Sequence, residues 1–173
     1  MSNSESNETL TRMGPGAAMG RVFRQFWQPA LLSEELPVAD CPPVRVRLMG
    51  EDFVAFRDSS GKVGLLDAHC PHRLADLFFG RNEEGGLRCV YHGWKFSVAG
   101  EILDMPSEPQ GSPMRCNPNL RAKAYPVREA GGIIWAYLGP QESMPALPDM
   151  EFMSLPPQNV HVSKCLMKCN YLQ

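Results

Sequence analysis

Two short motifs, Cys70-x-His72 and Cys89-x-x-His92, constrain this chain more than anything else in it. Each sets a thiol beside an imidazole, and residues 73–88 lie between them. Any fold of the chain must bring two loop tips together, each offering one Cys and one His side by side. The neighbouring residues suit tight loops: Pro71 stiffens the first, and Gly93 removes side-chain bulk just after His92. The organising stretch runs from Asp67 to Phe96.

Two mixed Cys/His pairs are the ligand set of a [2Fe–2S] centre of the Rieske type, in which two histidines replace two cysteines on one iron. Cys70 and Cys89 are the candidate thiolates for one iron, His72 and His92 the candidate imidazoles for the other. Neutral imidazoles leave such a centre less negative than an all-thiolate one, so it takes up an electron more easily. Two other readings stand beside this one. A zinc site of two cysteines and two histidines is the nearest, although zinc motifs pair like with like, which the gap between Cys70 and His72 fits poorly. A catalytic Cys–His pair needs only one of each.

The 173 residues suffice for one domain with a sizeable core and a short extension. A net charge of −2 gives no electrostatic case for nucleic acid. Beyond the two candidate ligands, Cys41, Cys116, Cys165 and Cys169 show no disulfide-framework spacing, which points to a reducing cytoplasm. The polar N-terminus lacks a basic and an apolar signal region and a twin arginine, and the longest apolar run, around Ile133–Leu138, is far short of a membrane span. The expectation is a soluble cytoplasmic protein.

Along the chain, residues 1–14 read as a mobile lead. Met19, Val22, Phe23, Phe26 and Trp27 then recur at helical spacing, with Arg21, Arg24, Gln25 and Gln28 opposite and Pro29 closing the helix. From Pro43 the period changes to two: Val44, Val46 and Leu48 alternate with Arg45 and Arg47. Strands are predicted at 53–57, 63–66, 87–90, 94–98, 101–105, 125–128 and 133–138, with turns at 59–62, 82–86, 99–100 and 131–132. A long ordered loop fills 106–119. This is a mainly β, antiparallel pattern over 38–140, preceded by a lead and helix over 1–37. Residues 141–173 read as a Pro-rich connector, then a strand entering a second domain. His161, Cys165 and Cys169, four apart, would share a face on a helix, but without a fourth ligand a metal site is the lesser reading beside the strand.

The chain resembles the large subunit of the Rieske non-haem iron ring-hydroxylating oxygenases, most closely the phthalate 4,5-dioxygenase type. The resemblance rests on C-P-H-R at 70–73, G-R-N-E-E-G-G-L-R-C-V-Y-H-G-W-K-F at 80–96 and L-D-M-P-S-E-P at 103–109. The M-G-P-G lead, the M-G after it and F-W-Q-P-A-L-L-x-E-E-L at 26–36 agree. Leu74 departs from the Gly that many relatives carry there, and a local change in that loop is expected. The resemblance implies a Rieske domain followed by a larger catalytic domain, which holds a mononuclear Fe(II) on two histidines and one carboxylate. No histidine follows His161, so that triad is absent, and 169–173 resembles the run just before it. The expectation is the Rieske part of a truncated oxygenase.

The implied function is electron relay in aromatic hydrocarbon catabolism. A reductase carrying flavin and a [2Fe–2S] centre draws electrons from NADH, and the electrons pass on to the mononuclear iron of a neighbouring subunit in a homo-oligomer. There O₂ is activated for oxidation of an aromatic, phthalate-like substrate. His92, facing a carboxylate of that neighbour, is the expected exit. Respiratory-type relatives carry extra loop cysteines, absent here, and hydroxyl side chains where this chain has Trp94 and Phe96; the expectation is a low potential. Tyr91 and Trp94 are expected to pack over the centre. Arg73 and Lys95 are expected either to meet an acidic partner surface or simply to be solvated, and Asp67, His69 and Asp76 to be surface or loop residues. A stand-alone Rieske ferredoxin and a zinc-stabilised module are the competing classes.

Overall fold

A computed structural model describes residues 3–117 and 119–171. Helix α1 (Asn3–Thr11) and the short α2 (Ala18–Phe23) lead into β1 (Trp27–Leu32). The alternating segment forms β2 (Val44–Leu48), followed by β3 (Glu51–Arg57) and β4 (Val63–Asp67). Four short strands surround the second motif: β5 (Arg81–Glu83), β6 (Gly86–Arg88), β7 (Lys95–Phe96) and β8 (Ile102–Asp104). The set closes with β9 (Ala124–Tyr125), β10 (Val127–Ala130) and β11 (Ile133–Tyr137), and α3 (Glu151–Ser154) lies in the connector. Three antiparallel sheets result, in the orders β1-β11-β10, β2-β3-β4-β9 and β5-β6-β7-β8.

The middle sheet explains the placement of the cores. Side chains alternate along β3, so Val54 and Phe56 enter one core while Phe53 and Ala55 enter another on the opposite face. Leu66 and Leu65 of β4 divide in the same way. A strand buried on both faces reads as a continuous apolar run, and F-V-A-F at 53–56 is one. The first core takes in Leu77, Leu87, Trp94, Phe96 and Met105 together with Cys70 and Cys89. The β3–β4 turn is fixed by the Asp58 carboxylate, which accepts from Ser60 N, Ser60 Oγ and Lys62 N at 2.7–2.9 Å. Arg57 staples two sheets. Its guanidinium grips Glu129 of β10 with two bonds of 2.8 and 2.9 Å, and its Nε donates to Leu36 O.

Several expectations change. The helix predicted through Trp27 stops at Phe23, and Trp27 opens β1 opposite Tyr137. Val22 and Phe26 are 45% and 57% exposed, so the spacing was not a core stripe. Tertiary pairing wins: Trp27 packs its ring on Tyr137 and donates its indole N–H to Pro145 O. Strand β1 therefore puts part of the segment expected as lead and helix into a sheet with β11. Within 1–14, residues Asn3–Thr11 are helical; with polar residues all round, this helix gives no periodic signal. The strand expected after Val160 does not form among the described residues, where His161, Cys165 and Cys169 are exposed and lie on neither helix nor strand. Strands expected at 87–90 and 94–98 are shorter, because the second motif's loop takes Cys89–Trp94.

Candidate metal centre

The two motifs fold into loops of the same hydrogen-bonded design. In the first, Cys70 N donates to Ala75 O at 2.8 Å and Leu74 N donates back to Cys70 O at 2.9 Å. In the second, Cys89 N donates to Trp94 O at 2.8 Å and Gly93 N to Cys89 O at 3.1 Å. Both are six-residue loops, C-P-H-R-L-A and C-V-Y-H-G-W, and in each the fifth residue is left-handed: Leu74 at φ 56° and Gly93 at φ 75°. The first loop leaves β4 and is closed by Asp76, whose carboxylate caps Phe78 N and pairs with Arg45 at 2.7 Å. The second joins β6 to β7.

Cys70 and Cys89 are both buried in the first core, where they are neighbours. Burial, followed by the Cys89 neighbour, pushes the Cys70 thiol up to about 11, while backbone N–H groups of His72 and Arg73 work in the opposite direction. Those amides already point at a sulfur that would carry negative charge on a metal. The two imidazoles meet edge to face, ring centroids 4.7 Å apart. Burial, then the neighbouring His92 and Arg73, lower the His72 pKa, which favours the neutral ring that a metal needs.

Two observations test whether these residues suit a metal. His92 Nδ1 is buried and has no hydrogen-bond partner, a cost that ligation removes. Among the described residues, no three His, Cys, Asp or Glu side chains converge on a point that one ion could occupy. Two buried thiols and two adjoining imidazoles are the donor types that a two-iron centre of this kind takes. The donor set fits a cluster of two irons.

The surrounding residues separate clearly. Trp94 is fully buried and lies flat on His72, centroids 4.3 Å apart and planes 2° apart, with its indole N–H on Ser107 Oγ at 3.1 Å. Tyr91, expected to pack over the centre, is exposed; its ring tilts against His92 at 3.9 Å. Gly93 is required: a Cβ there would sit 2.7 Å from Pro106 Cγ. Arg73 is exposed beside His72. Lys95 reverses its expectation, being only 7% exposed and paired with Glu84 inside the chain instead of free for a partner. Asp67 is no mere loop residue, since it ends β4 and accepts from Tyr125 Oη at 2.7 Å. Asp76, similarly, is the cap of the first loop.

Sequence reading missed the third wall of the site. Pro106 lies against Gly93 and Ser107 holds Trp94, while Arg115 donates to the carbonyls of Met105, Glu108 and Pro109 and so pins this segment. It also missed Arg88 and Asp104, whose pairing at 2.8 Å bridges β6 and β8. Strand register could have found that pair, because Arg88 is opposite Lys95, which is opposite Asp104.

Residues 26–126 match the profile of the Rieske [2Fe-2S] domain. Over 173 residues the chain is 47% identical to the 3-chlorobenzoate-3,4-dioxygenase oxygenase subunit of Comamonas testosteroni, covering all of this chain and 39% of that one. It is 44% identical to the phthalate 4,5-dioxygenase oxygenase subunit of Pseudomonas putida, with the same shares covered. Among solved structures, dicamba monooxygenase with non-heme iron and dicamba superposes with a TM-score of 0.64 at 30% identity, over 73% of this chain and 38% of that one. The chain thus spans about two fifths of the length of the curated relatives it matches. Among the described residues, no helix is long and apolar enough to cross a membrane.

Proposed function

The chain belongs to the Rieske [2Fe–2S] domain family, and from that premise we propose that it is the electron-relay part of a ring-hydroxylating oxygenase subunit. Cys70 and Cys89 supply the two thiolates and His72 and His92 the two imidazoles. When bound, a [2Fe–2S] group of this kind takes up and gives up one electron at a time. The observation that carries the reading is the buried, partnerless His92 Nδ1 beside the stacked His72, on loops that also supply two buried thiols.

The chain's own residues divide the remaining work. Trp94 excludes water from the inner face of His72 and fixes its plane. The amides of His72 and Arg73 favour thiolate at Cys70. His92, next to exposed Tyr91, is the outlet towards a neighbouring subunit of a homo-oligomer. Electrons come from an NADH-dependent reductase carrying flavin and [2Fe–2S]. They leave for a mononuclear Fe(II) in a catalytic domain of which residues 141–173 are the connector and beginning, with 38–140 as the relay domain. There O₂ and an aromatic, phthalate-like acid react. The names of the two relatives support that substrate class, and a cytoplasmic setting suits the unpaired cysteines 41, 70, 89, 165 and 169.

The test is an EPR spectrum of the anaerobically purified, dithionite-reduced chain, with iron and acid-labile sulfide assayed alongside. The expected result is a rhombic signal of a histidine-ligated [2Fe–2S] centre with equal iron and sulfide. An EPR-silent, colourless protein containing zinc overturns the reading.

A further inference from the structure

Within the second loop, Gly93 has no side chain to hold it, yet it must keep a left-handed conformation directly after His92. Its N–H is held by Cys89 O. Its carbonyl is held by Arg88. The guanidinium turns back from the end of β6 across the base of the loop, and Nη1 donates to Gly93 O at 2.7 Å. The same nitrogen donates to Asp104 Oδ2 at 2.8 Å, and Nε donates to Glu83 Oε1 at 2.7 Å. With carboxylates on two sides and its side chain only 15% exposed, the guanidinium has nowhere to swing. In the first loop the residue before Cys70 is the exposed His69.

We propose that Arg88 is a positioning residue for His92: by fixing both sides of the loop base through Gly93 O, Glu83 and Asp104, it sets the aim of the imidazole and thereby the electronic symmetry and lifetime of the bound centre. This rests on the ligand set proposed above. The physical argument is leverage. The peptide plane after Gly93 is one bond set away from the His92 backbone, and a glycine offers no steric barrier to its rotation. A planar, permanently charged fork holds a carbonyl and two carboxylates in one geometry, which a lysine cannot reproduce.

The experiment compares wild type with R88M, R88K and D104N, each reduced under anaerobic conditions. EPR g-values and the rate of iron release to a chelator are read, with thermal unfolding alongside. R88M is expected to change the g-anisotropy and release iron about tenfold faster or more, the scale on which loss of outer-shell contacts weakens metal affinity. R88K and D104N, which each keep only part of the clamp, are expected to fall between wild type and R88M in both g-values and release rate. R88M with wild-type g-values and release rate overturns the proposal even where its melting temperature drops. Should R88M fail to fold, wild-type g-values and release rate in R88K overturn it equally. A wild-type chain without the rhombic signal refutes the ligand set itself and removes the proposal with it.

Discussion

The two motif loops share a hydrogen-bond plan but are stabilised from opposite directions. The first loop is held from outside: Asp76 caps its exit, Arg45 pairs with Asp76 and covers the Phe78 ring at 3.9 Å, and Leu74 stands 73% exposed at φ 56°. The second loop is held from inside, by Arg88 at its base, Pro106 against Gly93 and Trp94 in the core. Trp94 belongs to the second loop yet braces the histidine of the first. One backbone template thus accepts two kinds of support. The histidine sits third in one loop and fourth in the other, and in both the fifth residue turns left-handed.

The largest effect is expected from breaking the shared brace. Trp94→Ala should cost about 3–5 kcal/mol, the range for truncating a buried aromatic, and should free the His72 ring; thermal denaturation and EPR of the reduced chain would show both, and a chain as stable as wild type would refute the bracing role. Gly93→Ala comes next. The left-handed conformation costs an L-residue roughly 1–2 kcal/mol, and the new Cβ meets Pro106 as well. In the first loop the sign reverses. Leu74→Gly relieves the same conformation with open solvent around the side chain, and should stabilise by up to about 1 kcal/mol after the glycine's added chain entropy. A melting temperature below wild type would count against the loops being equivalent.

Redox titration sharpens the comparison from the side of the second loop. Phe96 is fully buried and has no hydroxyl, and the one polar atom of Trp94 is committed to Ser107, so neither donates to sulfur. The expected potential lies in the lower part of the roughly −150 to +300 mV Rieske range; a value above about +100 mV would contradict this. The smallest effect concerns pH and the first loop. Burial raises the Asp76 pKa, but the Arg45 guanidinium and Phe78 N–H outweigh it and hold the carboxyl below its ordinary 3.8. A lowered folded-state pKa contributes stability that is present above 3.8 and lost as pH falls through the folded value. Asp76→Asn should therefore flatten the acid limb of the stability curve, measured by denaturant midpoints at a series of pH values.

The wet-faced strand β2 was legible because one period decides it. Strand β3 was legible as a strand but not as a shared wall, since an apolar run does not say which neighbour lies on which face. The end of α2 was hidden. Trp27 satisfies helical spacing equally well, and only its pairing with Tyr137, more than a hundred residues on, settles the matter. Lys95 was misplaced because a lysine beside a ligand loop is ordinarily solvated, and its burial depends on Glu84 across a turn that sequence places but does not orient. The departure at Leu74 was visible, while its left-handed backbone was not.

The position of the two cysteines inside the first core reaches beyond electron transfer. Cys70 and Cys89 pack among Phe56, Leu66, Trp94 and Phe96, so removing a metal from them empties the middle of a folding unit instead of stripping an ornament from its surface. Metal binding and folding are then one equilibrium. Chelating the metal is then expected to lower the melting temperature of the surrounding core, and not merely to bleach the chain.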